Sequence, residues 1–165
     1  MLADHHKRVY LSFISTDLPL WNIIEANASL YQKERDRFHL LLNQKSLSPL
    51  PTLLTNSESH SHDECHERLL WLEISPYRVI LTMQSKGKLS YRHFWERGVY
   101  GISRYWLNNL NNDSPENKGS LRLRNFTRYL KLEGTPSPTS LQVEYELWSS
   151  RLQLGSYVLH LDIDH

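Results

Sequence analysis

An aromatic-rich stretch, residues 91–110, constrains the fold most strongly because its large apolar side chains must be buried together. On a helix, at about 100° per residue, these side chains fall within one arc of roughly 160°. The arc contains Tyr91, Phe94, Trp95, Gly98, Val99, Ile102, Tyr105, Trp106 and Leu110, and the opposite face contains His93, Glu96, Arg97, Tyr100, Ser103 and Arg104. The pattern predicts an amphipathic helix with its aromatic side on a sheet and a basic side in solvent.

A second helix is predicted near the N-terminus, after a strand over residues 9–14. Asp17 can cap free backbone amides and Pro19 is tolerated in a first helical turn, which favours a helix start there. Apolar residues at helical spacing then continue to about Gln44, and the charged run at residues 32–37 is expected on the solvent side. These features predict one long helix over residues 17–44.

The rest of the chain is predicted to form strands. Apolar runs at 68–74 and 77–84 flank Ser75-Pro76, which predicts two strands with a tight reversal. Residues 121–132 change their apolar parity, which predicts a bulge near Asn125. Strict alternation of apolar and polar residues over 141–147 and 157–163 predicts a C-terminal β-hairpin spanning 141–163.

The predicted element order is strand, helix, strand, strand, helix, strand and two further strands. It predicts an α+β fold with a mostly antiparallel sheet of about six strands and two helices, matching a ferredoxin-like βαββαβ unit plus the C-terminal hairpin. An antiparallel meander closed by the last three strands, with the helices at one end, is the alternative. We expect a single domain over residues 1–165, with a long loop at 45–66.

Composition narrows the classes of function. The single cysteine, Cys65, excludes an intrachain disulfide and fits a reducing compartment. No window approaches the ~20 apolar residues of a membrane-spanning helix, so we expect a cytoplasmic protein with no membrane partner. The sequence has no nucleophile elbow, zinc-protease motif, phosphate-binding loop or dinucleotide fingerprint. No cofactor is predicted, and a non-enzymatic role is favoured.

Charge is distributed unevenly along the chain. The net charge is +1, yet residues 86–131 carry ten basic and three acidic side chains, a local charge of +7. Residues 132–165 carry a local charge of −4, with one basic and five acidic side chains. Such separation can steer a charged partner, but it does not determine a fold.

Two clusters could hold a metal ion. His60, His62, Cys65 and His66 carry donors that suit zinc, but a second ligand pair at defined spacing is missing, so a solvated polar loop is the favoured interpretation. His160, Asp162 and Asp164 share one face of the last strand, and Glu144 and Glu146 on the preceding strand could complete a carboxylate patch. The outer face of a terminal hairpin is the favoured interpretation of that patch.

The leading functional hypothesis is a protein-binding or regulatory domain that uses the basic helix face. Its predicted contact residues are His93, Arg97, Tyr100, Arg104, Arg122, Arg124 and Arg128. The alternative is binding of RNA or DNA by the basic 86–131 segment, in which tyrosines could stack on bases. An enzyme or metal-binding protein that uses His60, His62 and His66 or the C-terminal carboxylates is a further alternative. Another protein is the favoured partner, and a homo-oligomer is compatible with the pattern.

Overall fold

The computed structural model of the protein describes residues 5–18, 21–44, 68–85, 89–107 and 119–164. These residues form ten antiparallel strands. The strands are β1 (His5–Ser15), β2 (Trp21–Glu34), β3 (Arg37–Gln44), β4 (Arg68–Ile74), β5 (Arg78–Ser85), β6 (Leu89–Glu96), β7 (Tyr100–Leu107), β8 (Ser120–Glu133), β9 (Ser140–Ser149) and β10 (Leu152–Ile163).

The ten strands form a closed barrel. Each strand pairs with its sequence neighbours, and β10 pairs with β1 to complete the ring. The predicted α+β fold with two helices is therefore wrong, and so is the alternative with helices at one end. No helix occurs in the described part of the chain, and consequently none there is long and apolar enough to cross a membrane.

The helix predicted over residues 17–44 is instead the hairpin of β2 and β3. In β2 the side chains of Ile24, Ala28 and Leu30 lie at even spacing on the inner face and are buried. The charged run includes the turn between β2 and β3, where Glu34 lies opposite Arg37. Charged side chains suit this turn because it is in solvent. The sequence of this hairpin resembles that of a helix because residues on one face of a strand recur every two positions, and therefore also every four, close to the helical period of 3.6 residues. The charged turn adds an apparent solvent-facing side.

The aromatic helix predicted over residues 91–110 is also wrong, since residues 91–107 contain β6, a turn and β7. In β6, Tyr91, His93 and Trp95 face the barrel interior, while Arg92 and Phe94 face outward. Gly98 occupies the turn with a φ of +73°, a conformation that glycine adopts without steric cost. Inner residues are odd-numbered in both strands, but Ile102 and Trp106 face outward in β7 and complete an apparent helical arc in the sequence.

The last three strands follow the sequence pattern more closely. β9 and β10 pair directly, with Tyr145 opposite Tyr157 and Val143 opposite Leu159 on the inner face. The parity change in β8 is a bulge between Thr127 and Tyr129, close to the predicted position. It keeps apolar residues on the inner face on both sides of the bulge.

The two ends of the barrel differ. At the end that holds the β4–β5 and β6–β7 turns, which we call the closed end, the inner residues Ile74 and Val79 are 0% exposed. At the opposite end, which we call the open end, the inner-face residues Leu89 and Leu121 are 43% and 56% exposed. Other inner-face residues toward that end are buried, since Leu70 and Met83 are 3% and 7% exposed, so the core extends through the barrel and only these strand ends leave apolar side chains in solvent.

Candidate functional site

The four residues of the predicted basic helix face do not form one surface. His93 is buried inside the barrel, and Arg97 lies at the β6–β7 turn, where its guanidinium donates to the Leu130 carbonyl. Tyr100 and Arg104 lie on the outer wall of β7 and are exposed. Because the sheet alternates inward and outward side chains, the predicted set is split between the interior, a turn and the wall.

Three arginines form a row across the outer wall instead. Arg92 on β6 lies opposite Arg104 on β7, and Arg104 lies opposite Arg122 on β8. Cβ atoms of directly opposite residues are about 4.5–5.5 Å apart, and like charges there are destabilising. The row therefore costs some stability, and it concentrates positive charge within roughly 10 Å of wall.

Two further arginines lie beside this row. Arg124 follows Arg122 on the same side of β8, and Arg151 lies in the β9–β10 turn. Arg122, Arg124, Trp148, Ser150 and Arg151 line a shallow depression of about 500 Å³. Arg124 Nη2 donates a hydrogen bond to the Ser150 carbonyl at 2.9 Å, which connects β8 to the β9–β10 turn. We call Arg92, Arg104, Arg122, Arg124 and Arg151 the arginine face.

Aromatic rings are interleaved with these cations. The Arg124 guanidinium carbon lies 4.7 Å from the ring centre of Tyr100, and that of Arg104 lies 5.7 Å from the ring centre of Trp106. The Tyr100 ring also packs against Phe126 at 5.0 Å, yet the tyrosine stays 56% exposed. Rings held by guanidinium groups offer flat surfaces to solvent at fixed positions.

The arginine face carries no ion pair with a carboxylate among the described residues. The predicted contact residue Arg128 differs from its neighbours, because it lies 3.6 Å from Glu146 and is partly neutralised. Glu146 lies opposite Phe126 on β9, so acidic residues begin at this edge of the patch. The site therefore consists of five exposed cations with one acidic boundary.

A polar network lies inside the barrel, behind the arginine face. Asn125 Nδ2 donates to Ser103 Oγ at 2.8 Å, and the Ser103 hydroxyl lies 2.7 Å from His93 Nδ1. The imidazole stacks on Trp95 with ring centres 4.9 Å apart. Burial lowers the pKa of His93 to about 3, so the imidazole that shares a hydrogen bond with the Ser103 hydroxyl is neutral. The three polar side chains of this network are buried, and they join β6, β7 and β8 on the inner wall.

The neutral state of His93 predicts an acid-sensitive fold. The pKa in the unfolded chain is near 6.5, so on acidification the unfolded state binds a proton that the folded state excludes, and stability falls as pH decreases below about 6.5. We expect a loss of about 2 kcal/mol of unfolding free energy between about pH 7 and pH 5, measured by urea unfolding. His93→Gln should flatten this dependence.

His39→Gln is the control, because His39 lies on the outer face and is half-buried, beside Trp71. Burial lowers its pKa as well, so a small part of the acid sensitivity should disappear with it. Parallel loss of stability in the wild type and in His93→Gln would contradict the assignment to His93.

The structure describes one of the two predicted metal clusters. His60, His62, Cys65 and His66 lie outside the described residues. At the C-terminus, His160 Nε2 lies 3.1 Å from Asp162 Oδ1, but Glu144 and Glu146 lie opposite Val158 and Ser156. The described residues contain no group of three metal-ligating side chains.

Several members of the site were not singled out from the sequence. Arg92 lies two positions from Phe94 and was not grouped with Arg104, and Arg151 lies far from both in sequence. Trp106 was assigned to the buried aromatic arc but is only partly buried on the outer wall, and Trp148 on the outer face of β9 was not singled out. The alternation of Tyr91, His93 and Trp95 with Arg92, Phe94 and Glu96 was the available signal for a strand.

Comparisons with known proteins agree with the barrel but say nothing of the arginine face. No protein-family model matches this sequence, and no curated protein matches it. The structure is similar to the crystal structure of the ywiB protein from Bacillus subtilis, with a TM-score of 0.55 over 97% of this chain and 91% of that chain. The two sequences are 10% identical, so the similarity concerns the fold alone.

Proposed function

We propose that this protein is a non-enzymatic domain that binds single-stranded nucleic acid on its arginine face. The observation that carries the proposal is the row Arg92, Arg104 and Arg122, three adjacent cations without a carboxylate partner among the described residues. Nucleic acid supplies closely spaced phosphates that would neutralise such a row. Planar guanidinium groups also match phosphate oxygens in a bidentate geometry.

The aromatic rings favour a single strand over a duplex. Tyr100, Trp106 and Trp148 lie beside cations of the arginine face, and unpaired bases stack on rings placed in this way. A duplex hides its bases, and no helix in the described chain could enter a groove. The combination of a cationic strip and stacking rings is the arrangement that binds single strands with little sequence preference.

A protein partner is the second candidate, and two exposed apolar residues favour it. Val99 and Ile102 are 42% and 47% exposed beside Tyr100, and protein interfaces are enriched in arginine and aromatic residues with an apolar centre. An acidic protein, or the acidic surface of a second copy, would complement the same charge. We propose a cytoplasmic location for either partner, supported by the single cysteine.

The test is a fluorescence anisotropy titration of the whole protein with a labelled oligouridylate of about ten nucleotides, within the site sizes typical of single-strand binders. We expect binding at low salt that unlabelled oligouridylate competes away and that polyglutamate competes away only weakly. Equal competition by polyglutamate would favour the acidic protein partner. No anisotropy change at low salt would exclude the nucleic-acid function.

A further inference from the structure

The shallow depression lies where the row of three arginines on β6, β7 and β8 ends. Arg122 belongs to both, since it is the last arginine of the row and one of the residues that line the depression. Arg124 lies two residues further along the same outer side of β8, directly opposite Trp148 on β9. The β9–β10 turn adds Ser150 and Arg151 to the lining. A strand bound along the row therefore leads into the depression.

The positive path does not continue beyond this point. The strands β9 and β10 contain no lysine or arginine, and the outer side of β9 carries Glu144 and Glu146. Trp148 Nε1 donates a hydrogen bond to Glu146 Oε2 at 3.1 Å, which positions the indole and keeps a carboxylate beside it. Because carboxylates repel phosphates, a bound strand is expected to end in the depression.

Three guanidinium groups share this depression. Arg122, Arg124 and Arg151 line a volume of about 500 Å³, which is within the range of small-ligand sites. None of the three has a carboxylate partner among the described residues. A phosphodiester inside a strand carries a single negative charge, whereas a terminal phosphate carries about −1.5 to −2 at neutral pH. The charge of the depression therefore suits a phosphorylated strand end.

The turn that carries Arg151 is held against β8. Arg124 Nη2 donates to the Ser150 carbonyl at 2.9 Å, and Ser150 has a φ of +55°, a left-handed conformation found in tight β-hairpin turns. This hydrogen bond leaves further N–H groups of the Arg124 guanidinium as donors. The depression is therefore arranged before a ligand binds, which reduces the ordering cost of binding.

We propose that the depression binds the phosphorylated end of a single strand, with the terminal phosphate on Arg122 and Arg151 and the last base on Trp148. This inference rests on the proposed function, because the remaining nucleotides follow the arginine row. Guanidinium groups match phosphate oxygens in bidentate geometry, and unpaired bases stack on aromatic rings. A 5′-phosphate and a 3′-phosphate offer the same chemistry, but a strand bound with one polarity places only one of its two ends in the depression.

The test is a competition at low salt, in which unlabelled oligouridylates displace the labelled one from the whole protein. Three competitors of about ten nucleotides carry a 5′-phosphate, a 3′-phosphate or hydroxyls at both ends. One phosphorylated form should compete about tenfold better than the hydroxyl form, the gain expected from an added charge-assisted hydrogen bond. The other phosphorylated form should match the hydroxyl form. Because both phosphates add the same charge, each form controls for net charge in the other.

Arg151→Gln should reduce the tenfold preference to about onefold, because it removes one cation from the depression. Arg92→Gln is the matched variant, since it removes the same charge at the far end of the row. It should weaken binding of all three competitors and keep the preference. Unchanged thermal unfolding of Arg151→Gln would show that its effect is on binding and not on folding.

Three results would overturn this inference while the proposed function stands. They are equal competition by all three forms, an equal gain from both phosphates, and loss of the preference in Arg92→Gln but not in Arg151→Gln. An equal gain from both phosphates would mean that net charge alone determines the preference. Absence of any oligouridylate binding at low salt would overturn both this inference and the proposed function.

Discussion

Arg104→Glu is expected to weaken oligouridylate binding about a hundredfold, because it removes the central cation of the row and places a negative charge beside the phosphates. The same change should raise stability. A glutamate between Arg92 and Arg122 replaces two like-charge cross-strand pairs by two attractive ones, each contributing roughly 0.2–1 kcal/mol. Loss of binding together with a higher melting temperature, measured by anisotropy and calorimetry, distinguishes a binding surface from a structural one.

Arg8→Glu is the matched control for this reversal. Arg8 lies on β1, across the barrel from β7, and it forms an ion pair with Glu25. The variant has the same net charge as Arg104→Glu but should bind oligouridylate close to the wild-type level and lose stability. Equal weakening of binding by the two reversals would mean that net charge, and not the arginine face, determines binding.

Gly101→Ala is expected to destabilise the barrel by about 3 kcal/mol, the upper part of the range for overpacking. A Cβ atom at this position would lie 2.1 Å from the Phe94 carbonyl oxygen and 3.0 Å from Asn125 Oδ1. The carbonyl is backbone and cannot rotate away, so β6 and β7 must separate where Ser103 contacts His93. The melting temperature should fall on the order of 10 °C.

Gly119→Ala provides the comparison, because a Cβ atom there would have nothing within 4 Å. It should change stability by less than about 0.5 kcal/mol, as surface substitutions usually do. Similar melting temperatures for Gly101→Ala and Gly119→Ala would show that β6 and β7 do not approach each other as closely as described.

The strands that alternate strictly could be predicted, whereas the hairpins that also carry large apolar residues such as Ile23 and Ile102 on their outer faces could not. Residues 141–147 and 157–163 keep one buried face and match β9 and β10. Residues 91–107 switch from inward aromatics in β6 to outward aromatics such as Trp106 in β7. The outer wall of the barrel can carry these aromatic rings because they lie beside arginines. The local spacing of apolar residues therefore does not distinguish this hairpin from a helix.

The candidate site was predicted in part. Of the predicted contact residues, Arg104, Arg122 and Arg124 lie exposed on one wall. The row itself depends on strand register, which pairs Arg92 with Arg104 and Arg104 with Arg122. Register is determined by long-range pairing around the barrel, so a single sequence does not specify which charges become neighbours.

The salt dependence of oligouridylate binding tests the central claim most directly. Binding that neutralises phosphates on four or five arginines should give a slope of log K against log salt near −3, from about −0.7 per phosphate on a single strand. Arg104→Glu should reduce the magnitude of the slope by about 0.7 or more, and Arg8→Glu should leave it unchanged. A slope near zero for the wild type, or equal slopes for the wild type and Arg104→Glu, would contradict nucleic-acid binding by the arginine face.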